Sequence, residues 1–413
     1  MAESAKLASR TMAMANTEMK NHALELLRQN LQSSHQAILI ANSEDIAEAK
    51  AQGLSPSMLD RLSLQGRLEG IIADIAQVIR LPDPIGEVCE RPGLVGELDV
   101  IKCRTPLGVL GVIYESRPNV TIDVSALSLK SGNCAILRGG SETLRTNQVL
   151  VMAIQDSLRA AGLPPQAIQL VQTKDRAQVR KLLRLHAYID LIIPRGGAAL
   201  HRYCRENSTI PVITGGIGIC HLFADETASV EPSIEVIVNA KTQRPTVCNA
   251  LDTLLVHRGI AASFIPQVVD ALRAKGVVFK LDNAAWEIMQ KQHAANCQLA
   301  QPGDWNQEWL SLVLGVKVVA DVGEAIAHIA AFSTAHSDGI LTETAANAAR
   351  FVKEVDSAAV YVNASTRFTD GSQLGLGAEV AISTQKLHAR GPMGLKELTS
   401  YKWVIRGDYA IRP

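Results

Sequence analysis

The segment Val109–Tyr114, with the sequence VLGVIY, is the first of five short apolar runs that decide the fold class of this chain. The other four are 134–137 (CAIL), 168–171 (IQLV), 191–193 (LII) and 212–214 (VIT). Between them, residues 148–161 and 176–185 have the residue pattern of helices and the length that a crossover between parallel strands needs. This alternation predicts a parallel, doubly wound sheet, which binds ligands at the carboxyl ends of its strands.

A second alternation begins near Asn249 and predicts a second α/β domain. Its strands are expected at 251–256, 277–281, 316–320 and 358–363, and its helices at 262–275 and 323–331. Ahead of the first sheet, apolar residues recur every three or four positions, which predicts helices up to about residue 80, with Asn42 as an N-cap and Asp45 as its N3 partner. Residues 98–103 alternate like one strand of a hairpin.

Composition and charge are those of a globular protein without a strong surface field. The chain has 413 residues, 47% of them hydrophobic, and 41 Lys and Arg balance 41 Asp and Glu. A pI of about 7.1 offers no attraction for nucleic acid or for an anionic membrane surface. Residues 1–20 lack the apolar core of a secretory signal, and no apolar run reaches the ~18 residues of a membrane span, so we expect a cytoplasmic protein.

The cysteines and histidines give no support for a metal site. Seven cysteines form an odd set without a CxxC pair, which argues against a disulfide framework and a zinc ribbon. His201 and Cys204 stand three positions apart, but no second close pair of metal-ligating residue types accompanies them. Neither an HExxH motif nor an EF-hand loop is present, so we expect no metal.

Two glycine-containing turns could bind phosphate groups. No GxxxxGK[ST] motif occurs, and no GxGxxG follows a strand and opens a helix, which disfavours a kinase or an ordinary dinucleotide-binding domain. The run at 191–193 is instead followed by Pro194, Arg195, Gly196 and Gly197, then by a helical stretch. Bare N–H groups at such a helix start suit a pyrophosphate, although a plain turn is an equal alternative. The stretch 138–142 repeats the pattern, with Arg138 available to grip a phosphate oxygen.

Cys248 lies at the junction between the two predicted α/β regions, where a cleft between domains would form. A thiol becomes a useful nucleophile when a nearby cation favours its thiolate, and Arg244 is a local candidate. Composition alone favours a buried, inert cysteine instead. The residues by themselves therefore leave both roles open.

Several longer stretches resemble the aldehyde dehydrogenase superfamily over nearly the whole chain. They are YESRPNV at 114–120, STAHSDGI at 333–340, GLGAE at 375–379 and STQKLHARGP at 383–392. The resemblance implies an aldehyde dehydrogenase-like α/β fold with two doubly wound domains and a small β oligomerisation element. It assigns residues 1–94 and 107–240 to a cofactor-binding domain, 241–370 to a catalytic domain, and 95–106 and 371–413 to bridging and oligomerisation elements.

The resemblance also assigns catalytic roles. Cys248 matches the catalytic thiol of the superfamily, and the turn containing Gly215 and Gly216 matches a glycine turn at its cofactor site. The glutamate that activates water in oxidising members falls on Ile213, and no carboxylate replaces it. A reductase that starts from an acyl phosphate needs no such base. The superfamily's oxyanion-hole asparagine has no direct counterpart, and Asn119 is the expected substitute.

The implied cofactor is NADP or its reduced form, NADPH. Arg138 matches the lysine that binds the adenosine ribose, and Ser141 stands where NAD-preferring members often carry a glutamate. A cation without that carboxylate favours a 2′-phosphate. Glu308 resembles the glutamate that contacts the nicotinamide ribose, with a surface carboxylate as the alternative, and Pro194 to Gly197 match the pyrophosphate turn.

The implied substrate carries a carboxylate, an ammonium group and a phosphate, so its pocket should offer guanidinium and hydroxyl groups. The matching segments supply Arg117, Ser365, Thr366 and Arg367, although a structural role for each is about equally plausible. The strand near Val100 and the stretch 401–411 correspond to the oligomerisation elements of the superfamily, so a homo-oligomer is expected.

The branch that the chain resembles implies a reaction. It is the NADPH-dependent reduction of L-glutamate 5-phosphate to L-glutamate 5-semialdehyde and phosphate through a cysteine thioester, a step of proline biosynthesis. One alternative is a hydrolytic NAD(P)-dependent semialdehyde dehydrogenase of the same fold. The other is a non-catalytic partner of the glutamate kinase, and association with that kinase is also compatible with activity.

Overall fold

The computed structural model describes residues 1–95, 98–173, 175, 177–290 and 296–412. Internal contacts divide the chain into two compact units: unit 1 comprises Met1–Thr214, Gly375–Ala381 and Pro392–Pro413, and unit 2 comprises Gly215–Leu374 and Ile382–Gly391. The predicted helix 176–185 and bridging element 95–106 include residues 176, 96 and 97, which lie outside the described residues.

The helices, in chain order, are α1 (Ala2–Met14), α2 (Thr17–Ser33), α3 (His35–Ala51), α4 (Pro56–Leu62), α5 (Leu68–Arg80), α6 (Asn119–Lys130), α7 (Leu144–Ala160), α8 (Ala177–Leu182), α9 (Ala198–Asn207), α10 (Val230–Thr242), α11 (Arg258–Arg273), α12 (Asn283–Gln290), α13 (Val322–Phe332) and α14 (Ala345–Glu354). The strands are β1 (Val88–Val95), β2 (Leu98–Pro106), β3 (Val109–Tyr114), β4 (Cys134–Arg138), β5 (Ile168–Leu170), β6 (Leu191–Arg195), β7 (Cys220–Ala224), β8 (Leu251–His257), β9 (Val278–Leu281), β10 (Cys297–Leu299), β11 (Val313–Val319), β12 (Ser337–Leu341), β13 (Ala359–Val362), β14 (Ile382–Ser383), β15 (Gly391–Pro392) and β16 (Thr399–Arg406).

The helical beginning of unit 1 confirms the prediction from apolar spacing. In α5, the buried residues Leu68, Ile72, Ile75 and Val78 share one face. The proposed N-cap at Asn42 is wrong, because Asn42 lies inside α3. Its buried side chain donates to Leu62 O at 2.9 Å and accepts from Leu64 N at 2.8 Å, so it binds a neighbouring turn rather than the start of its own helix.

A four-stranded parallel sheet of order β5-β4-β3-β6 forms the centre of unit 1. Every residue of β3 and β4 is buried, as expected for parallel strands covered on both faces. The predicted strand at 212–214 is wrong. Val212 makes one isolated parallel bridge to Ile192, and the chain then leaves the sheet for the glycine turn at 215–216.

A second sheet of unit 1 has the order β1-β2-β16 and is antiparallel. It contains the predicted hairpin, formed by β1 and β2. On β16 the side chains of Tyr401, Trp403 and Ile405 are exposed, and the Lys102 ammonium lies 3.8 Å from the centre of the Tyr401 ring. This sheet therefore presents apolar groups on an edge strand.

Unit 2 is built on a seven-stranded parallel sheet of order β10-β9-β11-β8-β7-β12-β13. Strands β7, β10 and β12 and helices α10, α12 and α14 are among the elements that the sequence prediction missed. The units divide between Thr214 and Gly215, whereas the sequence assignment divided the domains between 240 and 241. The difference arises because β7 pairs with β8 and β12 in the sheet of unit 2.

Candidate active site

The loop between α10 and β8 carries Cys248, whose side chain is half-buried. The main-chain oxygen of Cys248 accepts a hydrogen bond from the Cys220 thiol at 3.2 Å. Burial, helped by the charges of Asp338 and Asp252, raises the pKa of Cys220 well above its ordinary value, so this thiol keeps its proton and remains a donor. Cys220 begins β7, and its bond ties the Cys248 loop to the sheet.

A glycine allows the chain to pass directly against Cys248. A Cβ atom at Gly218 would lie 1.5 Å from the main-chain oxygen of Cys248, so no larger residue fits there without movement. Gly218 N donates to Glu308 Oε1 at 2.9 Å. Gly215 also meets a neighbouring backbone closely, because its Cβ would lie 2.2 Å from Ile382 O. Gly216 has a φ of +82°, which glycine adopts without strain. Glu308, which was predicted at the cofactor site, thus binds the residue that touches Cys248, and Gly215 and Gly216 stand three and two positions before Gly218 in the chain.

Asn249 connects the Cys248 loop to the segment 365–369. Its side-chain amide donates to Thr369 O at 2.9 Å and to Arg367 O at 3.3 Å. In return, Thr366 Oγ1 donates to Asn249 O at 2.7 Å, and Ser365 Oγ accepts from Arg367 N at 3.3 Å. The predicted substrate residues Ser365, Thr366 and Arg367 therefore lie beside Cys248, but both hydroxyls also shape the loop.

One guanidinium group, that of Arg367, interacts electrostatically with the Cys248 thiol. The Arg367 guanidinium donates through Nε to Gln243 Oε1 at 2.9 Å and through Nη1 to Asn249 Oδ1. Burial lowers the pKa of Arg367 and the neighbouring Arg244 lowers it further, whereas the negative charges of Cys248 and Asp370 act in the opposite direction. Because this attraction is mutual, the guanidinium of Arg367 favours the thiolate form of Cys248. The sequence pointed to Arg244 as the local cation, and the structure adds Arg367.

A buried ion pair, which the sequence analysis did not identify, holds both ends of the Cys248 loop. Lys241 Nζ lies 3.7 Å from Asp252 Oδ1 and donates to Leu251 O at 2.8 Å. Burial lowers the pKa of Lys241 to about 8 and raises that of Asp252 to about 7. Asp252 Oδ1 also accepts a hydrogen bond from the main-chain N–H of Trp309, the residue after Glu308, at 3.2 Å. One pair thus joins α10, β8 and the Glu308 segment.

The remaining predicted residues lie in unit 1, at the carboxyl edge of its parallel sheet. Arg138 ends β4 and is buried, with its Nη1 donating to Gly139 O. Pro194 and Arg195 end β6, and Gly196 and Gly197 lead into α9. The two turns follow β4 and β6, which are separated in the sheet by the single strand β3. The N–H of Gly197 already binds an anionic group, the Glu115 carboxylate, at 3.1 Å, so the turn is able to hold a phosphate oxygen.

Asn119 and Arg117 follow β3 in the same unit. Asn119 begins α6, and its amide donates to Asp123 Oδ2 at 2.9 Å. Burial raises the pKa of Asp123 to about 6, while the Asn119 hydrogen bond and the charge of Arg195 oppose the increase. The Arg117 side chain is half-buried. The oxyanion assignment for Asn119 stays a prediction, since Asn119 and Cys248 lie in different units.

Ser141 is exposed and borders a cleft of about 210 Å³ in unit 1. Three carboxylates, those of Asp45, Glu48 and Glu142, also line this cleft. Arg145 partly balances them, with Nη1 lying 2.6 Å from Glu48 Oε2. The surroundings of Ser141 therefore combine anionic groups with a cation, and the sequence had not indicated this mixture.

The described part of the chain contains neither a metal-binding cluster nor a membrane-crossing helix. In residues 1–95, 98–173, 175, 177–290 and 296–412, no three His, Cys, Asp or Glu side chains are grouped to hold a metal ion. None of the helices in these same ranges combines the length and the apolar character required to cross a bilayer.

Two units built on parallel α/β sheets, the second of which carries the half-buried Cys248, agree with a known family. The aldehyde dehydrogenase family model matches residues 2–297, which is more than half of the chain. The acetylating aldehyde dehydrogenase of Geobacillus thermoglucosidasius has the same fold, with a TM-score of 0.72 at 16% identity over 100% of this chain and 96% of the other. The chain belongs to the aldehyde dehydrogenase family and is an oxidoreductase with its α/β fold.

More similar proteins define the branch within this family. The gamma-glutamyl phosphate reductase of Cronobacter sakazakii is 54% identical over 413 residues, covering 100% of this chain and 99% of that protein. The crystal structure of gamma-glutamyl phosphate reductase from Thermotoga maritima is 44% identical, with a TM-score of 0.96 over 100% of this chain and 99% of the other. These similarities confirm the resemblance that the sequence motifs indicated.

Proposed function

We propose that this chain reduces L-glutamate 5-phosphate to L-glutamate 5-semialdehyde and inorganic phosphate in proline biosynthesis. NADPH is the hydride donor and Cys248 the nucleophile. Relatives that share 54% identity over the whole chain are gamma-glutamyl phosphate reductases, which supports this substrate. The observation that carries the chemistry is the half-buried Cys248 thiol held beside the guanidinium of Arg367.

In the first half of the reaction, the Cys248 thiolate attacks the carbonyl carbon of the acyl phosphate. A C–S bond forms, the C–O bond to phosphate breaks, and inorganic phosphate leaves. The cations of Arg367 and Arg244 stabilise the thiolate and attract the phosphate group of the substrate. No water is needed in this half, because phosphate is already a good leaving group.

In the second half, the thioester is reduced and the aldehyde leaves. NADPH, when bound, supplies the hydride for the thioester carbon. The main-chain N–H of Cys248 and the side chain of Asn119 are the proposed donors to the developing oxyanion. When the C–S bond breaks, the oxygen electron pair forms the carbonyl of the semialdehyde and the Cys248 thiolate is restored.

The chain provides residues suited to the cofactor. We propose that Pro194, Arg195, Gly196 and Gly197 bind the pyrophosphate, that Gly215, Gly216 and Glu308 bind the nicotinamide end, and that Arg138 and Ser141 bind the adenosine ribose. The carboxylates around Ser141 would repel the 2′-phosphate of NADPH, so they act against the preference for NADPH over NADH. Binding titrations with both cofactors test this choice, and we expect NADPH to bind more tightly because Arg138 attracts a 2′-phosphate.

The substrate contacts are assigned by the same reasoning. Arg117 and Arg367 supply guanidinium groups for the carboxylate and phosphate of the substrate, and Ser365 and Thr366 position the loop around them. We also propose that the protein is cytoplasmic and that it forms a homo-oligomer through β2 and β16. It could associate with the glutamate kinase as well as being active itself.

The hydrolytic alternative requires a residue that activates water. Ile213, a buried aliphatic side chain, stands where the resemblance places that base. We therefore expect an acyl-phosphate product, rather than a free acid, when the reaction runs in the direction of oxidation.

The decisive experiment is this reverse reaction. Purified protein is mixed with glutamate 5-semialdehyde and NADP, with and without inorganic phosphate, and the absorbance of NADPH is followed. Strict dependence on phosphate is the expected result. NADPH formation without phosphate would favour the hydrolytic dehydrogenase, and no reaction under either condition would favour the non-catalytic partner of the kinase.

A further inference from the structure

Glu115 occupies the start of α9 in unit 1. Its Oε2 accepts a hydrogen bond from Gly197 N at 3.1 Å. The contact is close, because a Cβ atom at Gly196 would lie 2.4 Å from the same oxygen. The main chain is fixed as well, since Glu115 N donates to Arg195 O at 3.0 Å. The carboxylate is thus held over the turn that joins β6 to α9.

This position suits an anion for a physical reason. Gly197 is the N-cap of α9, and the N–H groups and the dipole at a helix start favour negative charge. Glu115 is exposed, so its carboxylate can leave the turn for water without breaking buried packing. The proposed function places the pyrophosphate of NADPH on the same N–H groups. A carboxylate and a pyrophosphate cannot both occupy these N–H groups, because they compete for the same hydrogen bonds and because their negative charges repel each other.

A buried neighbour adds a second observation at this turn. His201, one helical turn into α9, is only 8% exposed, and its Nδ1 has no hydrogen-bond partner among the described residues. Burial and the charge of Arg195 lower the pKa of His201 to about 4, although an interaction with the Gly196 main chain opposes the decrease, so the ring is neutral near pH 7. A neutral imidazole therefore lies beside the start of α9 and supplies no positive charge that would hold Glu115 there.

We propose that Glu115 is an internal anion that occupies the pyrophosphate position of the free protein and must be displaced when NADPH binds. This inference rests on the proposed function, which assigns the turn to the cofactor. Glu115 then determines cofactor affinity without taking part in the chemical step. It weakens NADPH binding and assists release of NADP, because it recaptures Gly197 N as the pyrophosphate leaves.

The test is a fluorescence titration of NADPH with the full chain at low salt. Glu115→Gln removes the charge while keeping an oxygen that can accept from Gly197 N. We expect its Kd for NADPH to fall about five-fold, as for removal of one competing charge at a helix start. The matched control is Glu206→Gln, an exposed carboxylate near the other end of α9, for which we expect an unchanged Kd.

Inorganic pyrophosphate provides a second probe. It should compete with NADPH more strongly in Glu115→Gln than in the wild type. Glu115→Asp retains the charge but shortens the side chain, so it should give an intermediate Kd and serves if the glutamine variant does not fold, as judged by circular dichroism.

The outcomes separate the two proposals. A wild-type protein that binds no NADPH would contradict the proposed function and this inference together. A wild type that binds NADPH, with equal or weaker binding in Glu115→Gln, would overturn the inference alone.

Discussion

In unit 2 the loop that carries Cys248 is fixed by buried groups, whereas in unit 1 the segment after β3 is held by carboxylates near the surface. Cys220 donates to Cys248 O and Thr366 donates to Asn249 O, while the Asn249 side chain donates to Thr369 O, and all three residues are buried. In unit 1, Glu115 binds Gly197 N, and the half-buried Glu142 binds the main chain and hydroxyl of Ser116. Both loops are ordered, but by groups that differ in how easily they can be displaced.

The difference matches the role that we propose for each region. A nucleophile gains rate from being held in one geometry before the substrate arrives, so buried contacts are suited to it. A nicotinamide cofactor must enter and leave in every cycle, so its binding groups need partners that exchange easily. The comparison implies that substitutions near Cys248 reduce turnover or stability, whereas substitutions of the unit 1 carboxylates mainly change binding.

The largest effect is expected for Cys248→Ser. Turnover in the phosphate-dependent reverse assay should fall by at least about 10³-fold, because a hydroxyl provides almost no anion near neutral pH. NADPH binding and the thermal midpoint should stay near wild-type values. Cys89→Ser, at an exposed cysteine, is the control. Near wild-type turnover in Cys248→Ser would remove this residue from its proposed role.

Gly218→Ala should lower turnover by about a hundred-fold, because the added methyl group overlaps the main-chain oxygen of Cys248 and shifts the nucleophile. The matched control is Gly303→Ala in the same unit, where an added Cβ would have open space. The ratio of kcat to KM for both variants, measured with circular dichroism as a check of folding, tests the prediction. Equal activity of the two variants would show that the loop adapts.

The third effect concerns the buried pair that joins both ends of the Cys248 loop. Lys241→Met removes the cation that lowers the pKa of Asp252, so Asp252 should bind a proton more readily. That proton limits the loss of unfolding free energy to about 2 kcal/mol. Lys275→Met, at an exposed lysine of unit 2, is the control and should leave stability unchanged.

The pH dependence of the same variant follows from the direction of the shift. The folded pKa of Asp252, about 7 in the wild type, already lies above the value of about 3.9 for an unfolded aspartate. Stability from this group is therefore complete below about pH 4 and declines as the pH rises through 7. In urea unfolding between pH 4 and 8, the decline should level off near pH 7 in the wild type and continue above pH 7 in Lys241→Met, and parallel curves would contradict this assignment.

Sequence patterns predicted the parallel sheets where burial alone determines the residues. Residues 109–114 and 134–137 are apolar and buried, so their pattern could be recognised without partners. Strand β7 was missed because His221 interrupts its apolar run. His221 is completely buried, and its Nδ1 forms a hydrogen bond with Asp338 Oδ1 at 2.9 Å. Asp338 lies over 100 residues further along the chain, so no local pattern could indicate this partner.

The site shows the same limit. The resemblance pointed to Cys248 and to the segment 365–367 as site residues, and these assignments remain proposals. The bonds from Cys220 and Glu308, however, join residues 28 and 90 positions apart, and no local pattern contains them. Glu115 lies in the motif YESRPNV, but the sequence assigned it no role, because its partner Gly197 is 82 positions away.

The smallest effect is expected for Glu142→Gln in unit 1. Glu142 Oε1 accepts from Ser116 N at 3.0 Å and from Ser116 Oγ at 2.7 Å, and Ser116 has a φ of +45°, a conformation that needs support in a residue other than glycine. A glutamine oxygen accepts the same two bonds without the charge, so unfolding free energy should fall by about 1 kcal/mol or less. Because Glu142 also borders the cleft beside Ser141, removing its charge should favour NADPH over NADH relative to the wild type.

Titrations of both cofactors, with Glu18→Gln at an exposed site as the control, test this prediction. A loss of stability comparable to that of Lys241→Met would mean that the carboxylates of unit 1 are as fixed as the buried groups of unit 2. The two regions would then differ in exposure alone, and the distinction between a fixed nucleophile and an exchangeable cofactor site would no longer hold.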